Sequence, residues 1–236
     1  HIRADSQVDP YCLIVEPPKI MKKLQINKIP SSISSELNRL SKYMDEVSEK
    51  HQISIMNWPG YSDEPEVSFK IAYTSQELII KYEVTEYYVM AQYTESNQSV
   101  FQDSCVEFFV TPITEGPYYN FEFNAIGTCL MQTGLARHDR EPGDNDVIKR
   151  IRRLPSLGFK PFSEQKGKQS WSLLIALPLE ILFGHPEPDL SGKIIRANLY
   201  KCGDKLRYPH YLSWNPIKTD RPDFHRPEFF GVMEFN

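Results

Sequence analysis

The sequence predicts an all-β fold: an antiparallel two-sheet β-sandwich of about ten strands with one peripheral helix near the N-terminus. Three observations predict it. Short runs rich in β-branched and aromatic residues recur along the chain between turn residues. Ahead of them stands a single run of apolar residues at helical spacing. The alternation of strand and crossover helix that a parallel α/β sheet demands is missing. At 236 residues the chain lies within the range that one sandwich reaches, so 1–236 reads as one domain.

The helix comes first. Ile33, Leu37, Leu40, Met44 and Val47 fall on one face, and Ser31 and Ser32 offer N-caps. With a charged opposite face, this helix is expected to pack on the outside of the sandwich. The Pro-rich EPPKI upstream reads as the approach to an edge strand. From Val67 the runs VSFKIAY, LIIKYEVT and YYVMAQYT predict a three-stranded meander, broken at Tyr73 to Glu77 and again at Thr85 to Glu86.

A hairpin follows, SCVEFFVTP from Ser104 and YYNFEFNAI from Tyr118, joined through Pro112, Gly116 and Pro117. In its second strand Tyr119, Phe121 and Phe123 point one way and Asn120, Glu122 and Asn124 the other. The polar face is either plain solvent surface or the lining of a concave ligand site. Next come the strand TCLMQT and the polar stretch HDREPGDND, whose acidic spacing suggests a structural calcium without matching an EF-hand. Further strands are expected at Trp171 to Leu177, Lys193 to Lys201 and Phe229 to Phe235, with a helical turn over Pro178 to Phe183. Trp58 and Trp171 read as core.

Composition narrows the function. A net charge of -4 and a pI near 5.9 give no cationic field for a phosphate backbone, so nucleic acid is not an expected partner. The basic cluster Lys149, Arg150, Arg152 and Arg153 reads as a solvated loop. No apolar run approaches the roughly 20 residues that cross a bilayer. Nucleotide-binding glycine loops and the serine elbow are missing. Cys12, Cys105, Cys129 and Cys202 lie scattered and read as free core thiols. The histidines are dispersed, so a zinc or iron centre needs long-range assembly. Met90, Met131 and His210 supply axial-ligand types for a haem-binding alternative. Glu107 and Glu122, on neighbouring predicted strands, form a carboxylate pair suited either to glycoside hydrolysis or to hydrogen bonding of hydroxyls.

The stretches DSCVEFFVTP, YYNFEFNAIGT, WSLLIALPLEIL, GKIIRANLYKCG, YLSWNPI and PEFFGVMEF, in this order, resemble the family 9 carbohydrate-binding modules over residues 58–236. The resemblance implies non-catalytic capture of an oligosaccharide or polysaccharide outside the cytoplasm, in concert with a glycoside hydrolase and without a cofactor. In that family one sugar ring lies between two aromatic side chains, and the matching positions here are Phe101 and Trp214. The family's strand carboxylate matches Glu107 and its asparagine matches Asn124. Two positions depart: Phe101 stands where better-known members carry Trp, and Glu122 where they carry a basic residue.

Overall fold

The structure, a computed structural model, describes residues 21–61, 65–113, 116–185 and 189–236. The strands are β1 (Lys23–Lys28), β2 (His51–Gln52), β3 (Ile55–Met56), β4 (Glu66–Tyr73), β5 (Glu77–Ala91), β6 (Cys105–Thr111), β7 (Tyr118–Asn124), β8 (Cys129–Gly134), β9 (Glu141–Pro142), β10 (Arg152–Pro155), β11 (Phe162–Pro178), β12 (Ile194–Cys202), β13 (Tyr211–Ser213) and β14 (Gly231–Phe235). The helices are α1 (Leu37–Val47), α2 (Asn145–Lys149) and α3 (Leu179–Phe183). The last coincides with the expected helical turn.

The all-β expectation holds, and the two expected antiparallel layers are present as two halves that β1 joins through parallel pairings. The strands form one continuous mixed sheet in the order β10-β11-β5-β4-β1-β14-β12-β6-β7-β8-β9, with β2 on β4 and with β13 pairing β12 and β3. Every pairing is antiparallel except those of β1, which runs parallel to β14 at residues 23–26 and parallel to β4 at residues 27–28. By dividing its hydrogen bonds in this way, β1 closes two edges that would otherwise expose unpaired backbone groups. The sheet curls so that its halves face each other across the main core. Phe69, Tyr82 and Leu173 from one half pack in the same cluster as Phe108, Phe121 and Leu199 from the other. The Tyr82 hydroxyl donates to the Glu107 carbonyl at 2.9 Å.

The predicted break at Thr85 to Glu86 is absent, because β5 pairs with β11 residue by residue from Glu77 to Glu86 and continues to Ala91 across two register shifts. β11 likewise runs well beyond the expected Trp171 to Leu177. Leu40 and Met44 of α1 are fully buried against Ala72, Ile79, Leu174 and Ala176 on the outer face of β4, β5 and β11, as the stripe predicts. Val47 is nevertheless 48% exposed. Ser31 and Ser32 do not cap this helix. They lie in a separate 3-10 turn, and Ser31 Oγ pairs with Ser75 Oγ at 2.9 Å.

The basic cluster is not a solvated loop. Lys149 closes α2, and Arg152 on β10 holds Glu77 through both guanidinium and carboxylate forks (2.9 and 2.7 Å). Arg153 donates to the Gly127 carbonyl at 3.0 Å. EPPKI and Cys12 lie outside the described residues. Among the described residues, no helix is long and apolar enough to cross a membrane.

Candidate functional site

Strand alternation builds the site on the outer face of β6, β7, β8 and β12. Residues opposite the main core in these strands include Glu107 and Phe109 of β6, Glu122 of β7, Leu130 of β8, and Tyr200 and Cys202 of β12. Register aligns them in rows. Tyr200, Glu107, Glu122 and Leu130 are successive cross-strand partners, and in a second row Cys202, Cys105 and Asn124 are aligned. The face is covered rather than washed by solvent. A 3-10 turn at Val100–Gln102 and the stretch 222–225 close over it. A cavity of about 420 Å³ remains, with Glu107, Glu122 and Phe109 at its floor and Phe101, Tyr211 and Phe224 among its walls.

The structure brings Phe101, Glu107 and Glu122 together on this cavity and leaves Trp214 and Asn124 off it. Trp214 is 3% exposed and sits in the main core, edge-on to Phe69 with ring centroids 6.0 Å apart. A Cβ at Gly231 would come within 2.5 Å of the indole, so the ring rests directly on β14 backbone. The rest of the SWNP motif is a latch. Asn215 donates to the Phe229 carbonyl at 2.6 Å, and its own amide donates to Asn198 at 2.8 Å. Asn124, fully buried, donates to Asp103 (2.9 Å) and to the Tyr93 carbonyl (2.8 Å) and accepts from the Thr128 amide (2.9 Å). It therefore anchors the segment that carries Phe101 instead of facing the cavity.

Glu107 and Glu122 are both buried. Glu107 Oε1 accepts from the Cys202 thiol at 3.0 Å and Glu122 Oε1 from the Asn120 amide at 2.9 Å, while the Oε2 atom of each lacks a partner. Burial first, then the facing Glu122, pushes Glu107 well above the ordinary carboxylate range, and burial likewise raises Glu122. Such carboxyls present both donors and acceptors near neutral pH. At the rim, Arg137 pairs with Asp223 at 3.0 Å.

Tyr211, Phe224, His225 and Cys202 also line the cavity. Cys202 and Tyr211 lie within GKIIRANLYKCG and YLSWNPI, where the resemblance marks Trp214 instead, Phe224 and His225 lie in no quoted stretch, and only the folding of the stretch after β12 over the sheet brings all four to the cavity. Met131 belongs to the main core, and His210 bonds Lys201 at 2.7 Å, so the haem-ligand types do not converge on the site. In HDREPGDND, Asp139 accepts from the Leu135 and Ala136 amides, and Asp144 caps α2 by accepting from the Asp146 amide. A larger cavity of about 540 Å³ beside α3 is bordered by the Arg152 and Glu77 pair, whose charges satisfy each other.

No curated protein matches the chain. It is 39% identical to a candidate carbohydrate-binding protein of Bacteroides uniformis in a crystal structure that superposes with a TM-score of 0.87 and covers 92% of this chain and 100% of that one. A family 9 carbohydrate-binding module of Caldicellulosiruptor kristjanssonii, solved with glucose, shares the fold at 13% identity and a TM-score of 0.51, covering 91% of this chain and 96% of that one. The model of carbohydrate-binding family 9 matches residues 38–235. The chain belongs to carbohydrate-binding family 9.

Proposed function

We propose that the chain captures a saccharide, without cleaving it, in the cavity above Glu107 and Glu122. The observation that carries this reading is a pair of buried carboxyls with unpartnered oxygens at the floor of an aromatic-walled cavity. A pyranose offers apolar C–H faces to rings and a rim of hydroxyls to carboxyls. Phe101 and Tyr211, both half-buried, are the platforms in this proposal, with Tyr211 taking the place expected of Trp214. The related module solved with glucose supports a gluco-configured ligand. Cleavage is not part of the reading. Glu107 and Glu122 are cross-strand neighbours side by side on the floor, whereas hydrolysis needs carboxyls that flank the scissile bond. An extracytoplasmic location beside a glycoside hydrolase belongs to the same proposal.

Calorimetry against a panel of soluble oligosaccharides tests it, with dissociation constants expected between about micromolar and millimolar. Phe101→Ala and Tyr211→Ala should each weaken binding at least about tenfold. Trp214→Ala should cost about 3–5 kcal/mol of stability yet leave affinity unchanged in protein that remains folded. Wild-type affinity in both cavity variants, or no binding across the panel, would sink the reading.

A further inference from the structure

Among the described residues, one group of metal-ligand types converges, and it lies beneath the cavity. Cys105 Sγ, a Glu107 carboxylate oxygen and Cys202 Sγ all lie within 4.8 Å of one another. Two adjacent strands hold them rigidly: Cys105 and Cys202 are direct partners between β6 and β12, and Glu107 follows two residues on along the same face. All three are at most 3% exposed. Glu107 Oε2 is buried without a partner, as is the neighbouring Glu122 Oε2.

The nearby cations are committed elsewhere. Lys201 precedes Cys202 but turns to the other side of the sheet, where it pairs with Glu86 at 2.8 Å. Arg140 bonds the carbonyls of Gly134 and Gln132, lies over the Tyr118 ring and reaches Glu122 only through the side chain of Asn120. Four acidic groups, two thiols and two carboxyls, thus share a buried region in which no cation among the described residues is in direct contact with them, Arg140 and Lys201 acting on Glu122 and Glu107 only from a distance.

We propose that Cys105, Glu107 and Cys202 bind a thiophilic divalent cation of the zinc class, with the fourth coordination position open to the cavity. Ligand bonds of about 2.3 Å to sulfur and 2.0–2.2 Å to oxygen put tetrahedral ligands roughly 3.5–3.8 Å apart, which suits the observed convergence. Two sulfur donors select against calcium and magnesium, which take oxygen. Binding exchanges the thiol protons for the ion and gives the orphaned carboxylate oxygen a partner. The site goes beyond the saccharide reading and does not depend on it.

The test uses the full chain under reducing conditions with Cys12→Ser, so that Cys12 supplies no thiol. Titration of the otherwise wild-type protein with cobalt(II) should give one equivalent of tetrahedral absorption with a thiolate-to-cobalt charge-transfer band, both displaced by zinc. Competition with a chromophoric chelator should show zinc affinity reduced at least about 100-fold in Cys105→Ser and in Cys202→Ser, reduced at least about tenfold in Glu107→Gln, and retained in Glu122→Gln. Absence of the charge-transfer band, a reading that needs no variant to fold, would overturn the proposal. So would zinc affinity indifferent to both serine substitutions. Saccharide affinity is read on the same samples after chelation. Protein that takes zinc but no glycan keeps this site and loses the saccharide reading, while the reverse overturns the metal alone.

Discussion

Lys201 and Cys202, adjacent on β12, face opposite sides of the sheet and meet two different treatments of a buried carboxyl. On the inner side Glu86 Oε1 accepts from the Trp171 indole at 2.8 Å, and Lys201 Nζ lies 2.8 Å from Oε2 as an ion pair, both side chains being fully buried. Lys201 also donates to His210 Nε2 at 2.7 Å, which assigns the ring proton to Nδ1, 3.3 Å from the Tyr208 carbonyl. Charge there is balanced and sealed. On the outer side Glu107 and Glu122 face each other beside two thiols, with orphaned oxygens and a cavity above them. The comparison teaches that burial alone does not mark a functional carboxyl. Glu86 Oε2 makes no hydrogen bond either, but Lys201 balances its charge, whereas the outer carboxyls have no ion-pair partner and lack what an incoming hydroxyl or cation would supply.

The same substitution made on each side breaks or sharpens this comparison. Glu86→Gln keeps an acceptor for Trp171 but leaves the Lys201 ammonium buried without its counter-charge, and should cost about 3–5 kcal/mol in urea denaturation. A loss under about 1 kcal/mol would show that the inner pair is not what secures the two halves.

Of intermediate size is the effect of His225, at the cavity wall, where Nδ1 meets the Tyr118 hydroxyl at 2.9 Å. Burial first, then Arg140 and Arg137, lowers the imidazole to about 4. The unfolded chain takes up a proton near pH 6.5, while the folded one resists until about pH 4. Stability therefore falls as pH drops through that window and levels off below it, by about 2 kcal/mol after allowance for the partial exposure of the ring. His225→Gln should flatten this slope relative to wild type, and an unchanged slope would assign the pH dependence to other groups.

The smallest effect is expected from Glu122→Gln. The amide oxygen still accepts from Asn120, and Arg140, the cation that acts on Glu122, keeps its bonds to Asn120 and to backbone carbonyls, so the stability change should stay within about 1 kcal/mol. If it matched the loss in Glu86→Gln, the two clusters would not differ in kind.

Much of the architecture was legible in local patterns. The period-two alternation of YYNFEFN separates Phe121 and Phe123, in the main core, from Glu122 on the cavity side. The 3.6-residue spacing of Leu37, Leu40 and Met44 marks the face by which α1 covers the sheet. Thr85 and Glu86 read as a break because two polar residues interrupt an apolar run. They continue the strand because β11 pairs with them and Lys201 meets Glu86 from far along the chain. Trp214 resembled a platform by its motif, but the Gly231 backbone admits its ring into the core.

By itself the sequence determined that this is a β protein, where most strands and the helix run, and which residues share a strand face. Those properties follow from side-chain periodicity and turn chemistry, which act over a few neighbouring residues. Only the tertiary structure decided that β1 joins the halves into one curled sheet, that Tyr211 and Phe224 wall the cavity, and that Cys105, Glu107 and Cys202 converge. Each of those outcomes depends on which strand lies beside which and in what register, and register is set by packing between segments far apart in the chain.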